Sequence, residues 1–238
     1  MDTIKNDTIK NDTIKNDTIK NDTIKNDTIK NDTIKNDTIK NAIIQSAERE
    51  INNIMDEWCK SYSNSCSGGE MRENRGSDIE SFVRNTINKI GELLHIHLIA
   101  KRGNDDKKTL TIPDTKINKK HQVDVHIYLN GEFSAVIECK SYLDSCYYVR
   151  ACDDFKLFRK FDYKVKNYIF TLENSISKET KIFTDFITEN ICDDVFYLLE
   201  GKRSSTKPIY DIKYKKCINK KSLIRFIDFI YMLGNIDN

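Results

Sequence analysis

The sequence has no C-x-x-C pair, no apolar run near eighteen residues and no large excess of charge of either sign, and each absence removes a class of protein. Seven cysteines, at Cys59, Cys66, Cys139, Cys146, Cys152, Cys192 and Cys217, are odd in number and lack metal-ligand spacing. Neither a zinc site nor a disulfide framework is therefore expected. Without a long apolar run or a signal-peptide pattern, the expectation is a soluble, reduced, cytoplasmic protein with no membrane partner. A net charge of +2 excludes a polycation that holds nucleic acid by total charge alone.

What is present begins with a repeat. From Asp2 to Asn41 the unit DTIKN recurs eight times unchanged, each copy carrying one Asp and one Lys. A period of five lets the Ile positions drift around a helix and alternate between the faces of a strand, so no apolar stripe forms. Residues 1–41 are expected to be a disordered tail, and residues 42–238 a single domain. Removing the repeat leaves 31 basic and 29 acidic residues, so the charge balance of the domain is unchanged. Any DNA-facing surface must come from where the basic residues cluster, with Lys101 to Lys120 and Lys202 to Lys221 as the first candidates.

Along the domain, Ile43, Ile44, Ala47, Ile51, Ile54, Met55 and Trp58 keep helical spacing and predict a helix over 42–60. Residues 61–76 read as a loop, and Ser77 with Glu80 as a capping box opening a second helix whose stripe is Phe82, Val83, Ile87, Ile90 and Leu94. Leu93 to Ala100 is strand-capable, and 103–120 reads as polar and irregular. VDVHIYL (123–129) and EFSAVIECK (132–140) then alternate with period two around Asn130-Gly131, a β-hairpin. Helices near 147–160, 178–190 and 220–233 alternate with strands near 168–172 and 195–199. The order predicts an α/β (α+β) fold with a mixed central sheet flanked by helices.

The hairpin carries the chemistry. Odd-numbered Val123, Val125, Ile127 and Leu129 put Asp124, His126 and Tyr128 on the other face; odd-numbered Phe133, Ala135, Ile137 and Cys139 put Glu138 and Lys140 opposite as well. For Asp124, Glu138 and Lys140 to share one face, paired residue numbers must sum to an even value. A plain two-residue turn gives an odd sum, so a three-residue loop or a bulge is expected. Two carboxylates at close range suit Mg²⁺, which keeps several waters and accepts a phosphate oxygen, while a neighbouring Lys orients the attacking water or offsets developing charge. The reaction class this predicts is phosphodiester hydrolysis.

The segment VDVHIYLNGEFSAVIECKSYLD resembles the core of the PD-(D/E)XK nuclease superfamily, most of all its type II restriction endonucleases, over about sixty residues. The resemblance implies a restriction-endonuclease-like fold, with Asp124 and Glu138 as Mg²⁺ ligands, the backbone carbonyl of Cys139 as a further ligand and Lys140 as the water-orienting residue. It also implies a helical Glu before the hairpin, for which Glu80 is the candidate. Pro113-Asp114 matches the written motif but sits in the irregular segment, so Asp124 is preferred. The implied partners are double-stranded DNA and a second copy of the chain in a homodimer. Tyr147, Tyr148, Arg150, Lys156 and Arg159 are candidate phosphate contacts. His126 shares the face and is placed within reach of substrate, whereas His95 and His97 lack a third ligand and read as ordinary histidines. The alternatives are a repair, recombination or mobile-element nuclease on the same core, or a relative that binds DNA without cutting it.

Overall fold

The computed structural model describes residues 37–63, 68–161 and 163–234, without the side chains of residues 68–73. The chain divides into two units, Met1–Ile43 and Ile44–Asn238. Most of the repeat lies outside the described residues. In the first unit residues 37–43 are helical, so the last DTIKN copy is helix where a tail was expected.

In the second unit, residues 44–63 form helix α1, which buries Ala47, Ile51, Met55 and Trp58. Helix α2 spans Gly68–Leu94. The expected loop over 61–76 is thus largely helix, and Ser77 sits mid-helix, so no capping box forms. Tertiary burial accounts for the difference. Ile79, Phe82 and Val83 are buried, Arg75 lies over the Tyr210 ring at 4.8 Å, and the Trp58 indole donates to Asp78 at 2.7 Å. Together these outweigh the roughly 1 kcal/mol that each helical glycine costs.

The strands are β1 (Leu98–Arg102), β2 (Lys108–Thr111), β3 (Asn118–His121), β4 (Val125–Leu129), β5 (Glu132–Leu143), β6 (Lys166–Asn174) and β7 (Asp194–Tyr197). The helices that follow the hairpin are α3 (Ser145–Lys160), α4 (Lys178–Ile187) and α5 (Lys220–Gly234). The five-stranded sheet has the order β1-β4-β5-β6-β7, antiparallel from β1 to β5 and parallel from β5 to β7. A mixed α/β fold is therefore what the chain adopts. The second pairing, β2 with β3, is a separate two-stranded ribbon where the sequence read as irregular. Its apolar alternation is too sparse to detect, since Leu110 is its one buried aliphatic residue.

The hairpin register matches the facing argument. Leu129 pairs with Glu132 around a two-residue turn in which Asn130 and Gly131 both take positive φ, 52° and 86°. The register then shifts by one, so that Ile127 pairs with Ala135 and Val125 with Ile137, and Ser134 is the extra residue of a bulge. Past the bulge the paired numbers sum to an even value. Before it they do not, so Phe133 pairs with Tyr128 and stacks near His126 at 5.1 Å, on the opposite face from the one the alternation gave it.

Both faces of the sheet are covered. Val136, Ile169 and Val195 pack under Tyr148, Cys152, Phe155 and Phe158 of α3. On the other face Phe170 meets Phe82 of α2 at 5.9 Å and Phe226 of α5 at 4.9 Å. No helix among the described residues is long and apolar enough to cross a membrane.

Candidate active site

Asp124, Glu138 and Lys140 come together on the α3 side of the sheet. β4 and β5 are interior strands, which rules out charges scattered along an edge hairpin. Asp124 lies in the bend just before β4, and the side chains of Asp124, Glu138 and Lys140 are 26%, 11% and 24% exposed. The two strands exchange side-chain bonds where the backbone ladder ends. The Cys139 amide donates to Asp124 Oδ2 at 2.8 Å, and the Asp124 amide faces Glu138 Oε2 at 3.4 Å. N–H and C=O of one residue point to the same side of a strand, so the Cys139 carbonyl faces the Asp124 side, away from β6. Its thiol is buried, and burial together with the charges of Asp124 and Glu138 pushes it up, which makes it a poor nucleophile.

The Lys140 ammonium sits between the carboxylates, bonded to Glu138 Oε1 and 3.7 Å from Asp124 Oδ2. Burial alone would lower its pKa, but the negative charges of Glu138 and Asp124 outweigh burial and raise it, so Lys140 is a cation and not a base. Asp124 is pushed up by burial and then by the charge of Glu138. This spot therefore favours positive charge. Among the described residues no group of three or more His, Cys, Asp or Glu forms a metal cage. Two carboxylates with room for water are the usual protein share of a Mg²⁺ site, so the donor set fits that ion.

A cleft of about 320 Å³ opens on this trio, lined by Gly76 of α2, by Ser141 and Tyr142, and by Tyr147, Arg150 and Asp154 of α3. Glu80 lies one helical turn beyond Gly76. Freed from capping, it pairs with Arg102 at 3.6 Å, and burial followed by the charge of Asp124 raises its pKa. It therefore stands at the side of the pair. Arg203 covers the Tyr142 ring at 3.8 Å and adds a cation at the rim.

The other candidates separate cleanly. Tyr147 and Arg150 reach the cleft, whereas Tyr148 is buried and donates to Asp185, Lys156 pairs with Glu189 at 3.7 Å, and Arg159 lines a different depression. His126 is fully buried and out of reach of substrate, because the Phe133 and Phe158 rings cover it. His95 and His97 are exposed, and Asp114 lies at the exposed tip of the ribbon.

Sequence reasoning missed Asp154, Asp106 and Gly103. Asp154 falls on the helical face of Tyr147 and Arg150 by i,i+4 and i,i+7 spacing, a signal that was available. Asp106 had no local signal. It accepts from His126 Nδ1 at 3.0 Å, from Tyr128 Oη and from Lys108 at 3.1 Å. With Nδ1–H so engaged, His126 Nε2 is free to accept the Val123 amide at 3.4 Å, immediately before Asp124. Gly103 donates its amide to the Asp124 carbonyl at 2.9 Å.

Burial pushes Asp106 up, but the hydrogen bonds from Tyr128, His126 and Lys108 outweigh it and hold the carboxyl at about 2. A depressed carboxyl contributes stability that is complete above its unfolded pKa near 4 and is lost as pH falls toward 2. The stability difference between wild type and Asp106→Asn is expected to shrink by about 2 kcal/mol between pH 5 and pH 2. Urea titrations at stepped pH measure it, and an unchanged difference would place the network elsewhere.

No protein-family model and no curated protein matches the chain.

Proposed function

We propose that the chain is a Mg²⁺-dependent endonuclease that hydrolyses phosphodiester bonds of double-stranded DNA, of the restriction type and with a restriction-endonuclease-like fold. The observation that carries the reading is the trio itself: two carboxylates fixed by reciprocal backbone bonds, with an ammonium between them, at the interior strands β4 and β5 and on the floor of an open cleft. Asp124, Glu138 and the Cys139 carbonyl are the groups that would hold the ion. Bound there, Mg²⁺ supplies Lewis acidity to the phosphate and lowers the pKa of a ligated water. Lys140, kept cationic by its neighbours, offsets charge that builds on the phosphate oxygens. Arg150, Tyr147 and Arg203 are placed to hold the phosphate chain, and Glu80 helps orient water beside Asp124.

Cutting both strands requires two such sites, and a homodimer is part of the proposal. α4 leaves Ile182, Phe183, Phe186 and Ile187 uncovered, with Phe186 78% exposed. Four such side chains on one helix make an apolar patch of several hundred Å² by rough reckoning, at the upper limit for a monomer. Arg150 lines both the catalytic cleft and the groove beside this face, so a second copy docked there stays close to the site. Phe186→Glu is expected to convert a dimer to a monomer in light scattering without lowering the melting temperature. A wild type that is already monomeric at micromolar concentration overturns the dimer.

The function is tested by incubating purified protein with unmethylated phage or plasmid DNA, with Mg²⁺ or with chelator, beside Lys140→Ala. Discrete Mg²⁺-dependent fragments that the variant does not produce support the proposal. Intact DNA across divalent metals and salt conditions overturns it.

A further inference from the structure

We infer that the β2–β3 ribbon is the element that reads DNA sequence, through the side chains of its outward face. This rests on the nuclease reading above and deepens it by naming where specificity lies. Residues 111–120 are all exposed, and the stretch Lys107 to Lys120 holds five Lys against one Asp, a local charge of +4 in a chain whose total is +2. That charge complements a phosphate backbone. A two-stranded ribbon is also one of the two shapes that the major groove admits.

Register fixes which residues face outward. Thr109 pairs with Lys120 and Thr111 with Asn118, and all four are exposed. The alternate pairs carry Leu110 and His121, which are buried. The outward face thus presents two hydroxyls, one carboxamide and one ammonium. These are groups that hydrogen-bond base edges, the carboxamide bidentately to adenine and the ammonium to guanine. The Lys120 ammonium is already oriented by Thr109 Oγ1 at 2.7 Å. Two residues along a strand advance about 7 Å, the rise of about two base pairs. The two rungs therefore address positions two base pairs apart.

One foot of the ribbon is tied to β4, the strand that follows Asp124, and the other to helix α3. Asp106 binds His126 and Tyr128 just before β2. At the other end the His121 ring bonds the carbonyl of Asp154, whose residue lines the cleft, at 3.1 Å. Bases read by the ribbon are thereby held at a fixed offset from the bond that is cut, which is what site-specific cleavage requires.

The test is cleavage of a randomised duplex library in Mg²⁺, with products sequenced, for wild type, Thr111→Ala/Asn118→Ala and Thr109→Ala/Lys120→Ala. All four positions are exposed, and melting curves check that each variant is folded. The expected result is Mg²⁺-dependent cleavage in every case, with discrimination reduced at least tenfold at one base position for the first variant and at a position two base pairs away for the second. A variant profile identical to wild type or a uniform loss of cleavage over all sequences overturns the ribbon assignment and leaves the nuclease intact, whereas a wild type with no sequence preference overturns both the ribbon assignment and the restriction type and leaves only Mg²⁺-dependent cleavage. Absence of any Mg²⁺-dependent cleavage by wild type is the separate failure of the nuclease reading.

Discussion

Asp124→Asn is expected to lower Mg²⁺-dependent cleavage about 1,000-fold, equivalent to roughly 4 kcal/mol of transition-state stabilisation. The same change is expected to raise the melting temperature of the metal-free protein. Asn keeps the shape and can still accept the Cys139 amide, but it removes a charge that burial and Glu138 both disfavour. The sign follows from linkage. A carboxyl whose folded pKa is raised binds its proton more tightly in the folded state. The contribution of Asp124 to metal-free stability is therefore greatest at low pH and declines as pH rises from the unfolded pKa near 4 through the raised value. The Asn variant lacks that decline, so its advantage in chelator is larger at pH 8 than at pH 5, on the order of 2 kcal/mol or about 4–8 °C at the higher pH. Lys140→Ala is the counterpart. It also abolishes cleavage but leaves two carboxylates without their shared cation, so its melting temperature falls and is restored by Mg²⁺. Calorimetry with and without the ion distinguishes these cases, and parallel behaviour of the two variants would remove the electrostatic account of the trio.

Gly103→Ala is expected to be the most damaging change of a single methyl group. A Cβ at Gly103 would lie 1.6 Å from the Val123 carbonyl oxygen, a backbone atom that cannot swing aside. The bend that carries Asp124 must therefore move, and with it the Gly103 amide bond to the Asp124 carbonyl. Overpacking of this kind costs about 3 kcal/mol, which in a domain of this size corresponds to a fall of roughly 6–12 °C in melting temperature. Displacement of a catalytic group by about 1 Å costs on the order of 100-fold in rate. Calorimetry and cleavage rates measured at a temperature where the variant remains folded report the two effects separately. A variant that folds with unchanged melting temperature would mean the close approach is not present in solution.

The candidate trio was legible because it rests on the shortest-range rule in proteins. Side chains of a strand alternate, and a hairpin of fixed register brings residues fourteen positions apart, Asp124 and Glu138, onto one face. The bulge that this demanded is present at Ser134. The stripes of α1 and α2, among them Ala47, Ile51 and Met55 and then Phe82, Val83, Ile87 and Ile90, were legible because helical spacing separates buried from exposed positions. Two of the misreadings came from places where local signals lost to distant partners. The glycines and serines of 61–76 look like loop, yet most of the segment is helix because α2 is held by contacts such as Arg75 on Tyr210. His126 alternates onto the side of Asp124, yet the register shift brings Phe133 over it and Asp106 beneath its ring nitrogen.

By itself the sequence determined the mixed α/β character, the pairing of β4 with β5 and the placement of Asp124, Glu138 and Lys140 on one face, because each follows from the periodicity of a single segment. Tertiary structure alone decided that this face is roofed by α3, that Glu80 is released from capping to stand near Asp124, and that the polar stretch after β1 becomes an exposed ribbon tied to β4 and α3. Those outcomes depend on pairings between residues twenty or more positions apart, such as Asp106 with His126 and His121 with Asp154. Their free energy comes from burial and from hydrogen bonds that no local pattern of amino acids encodes.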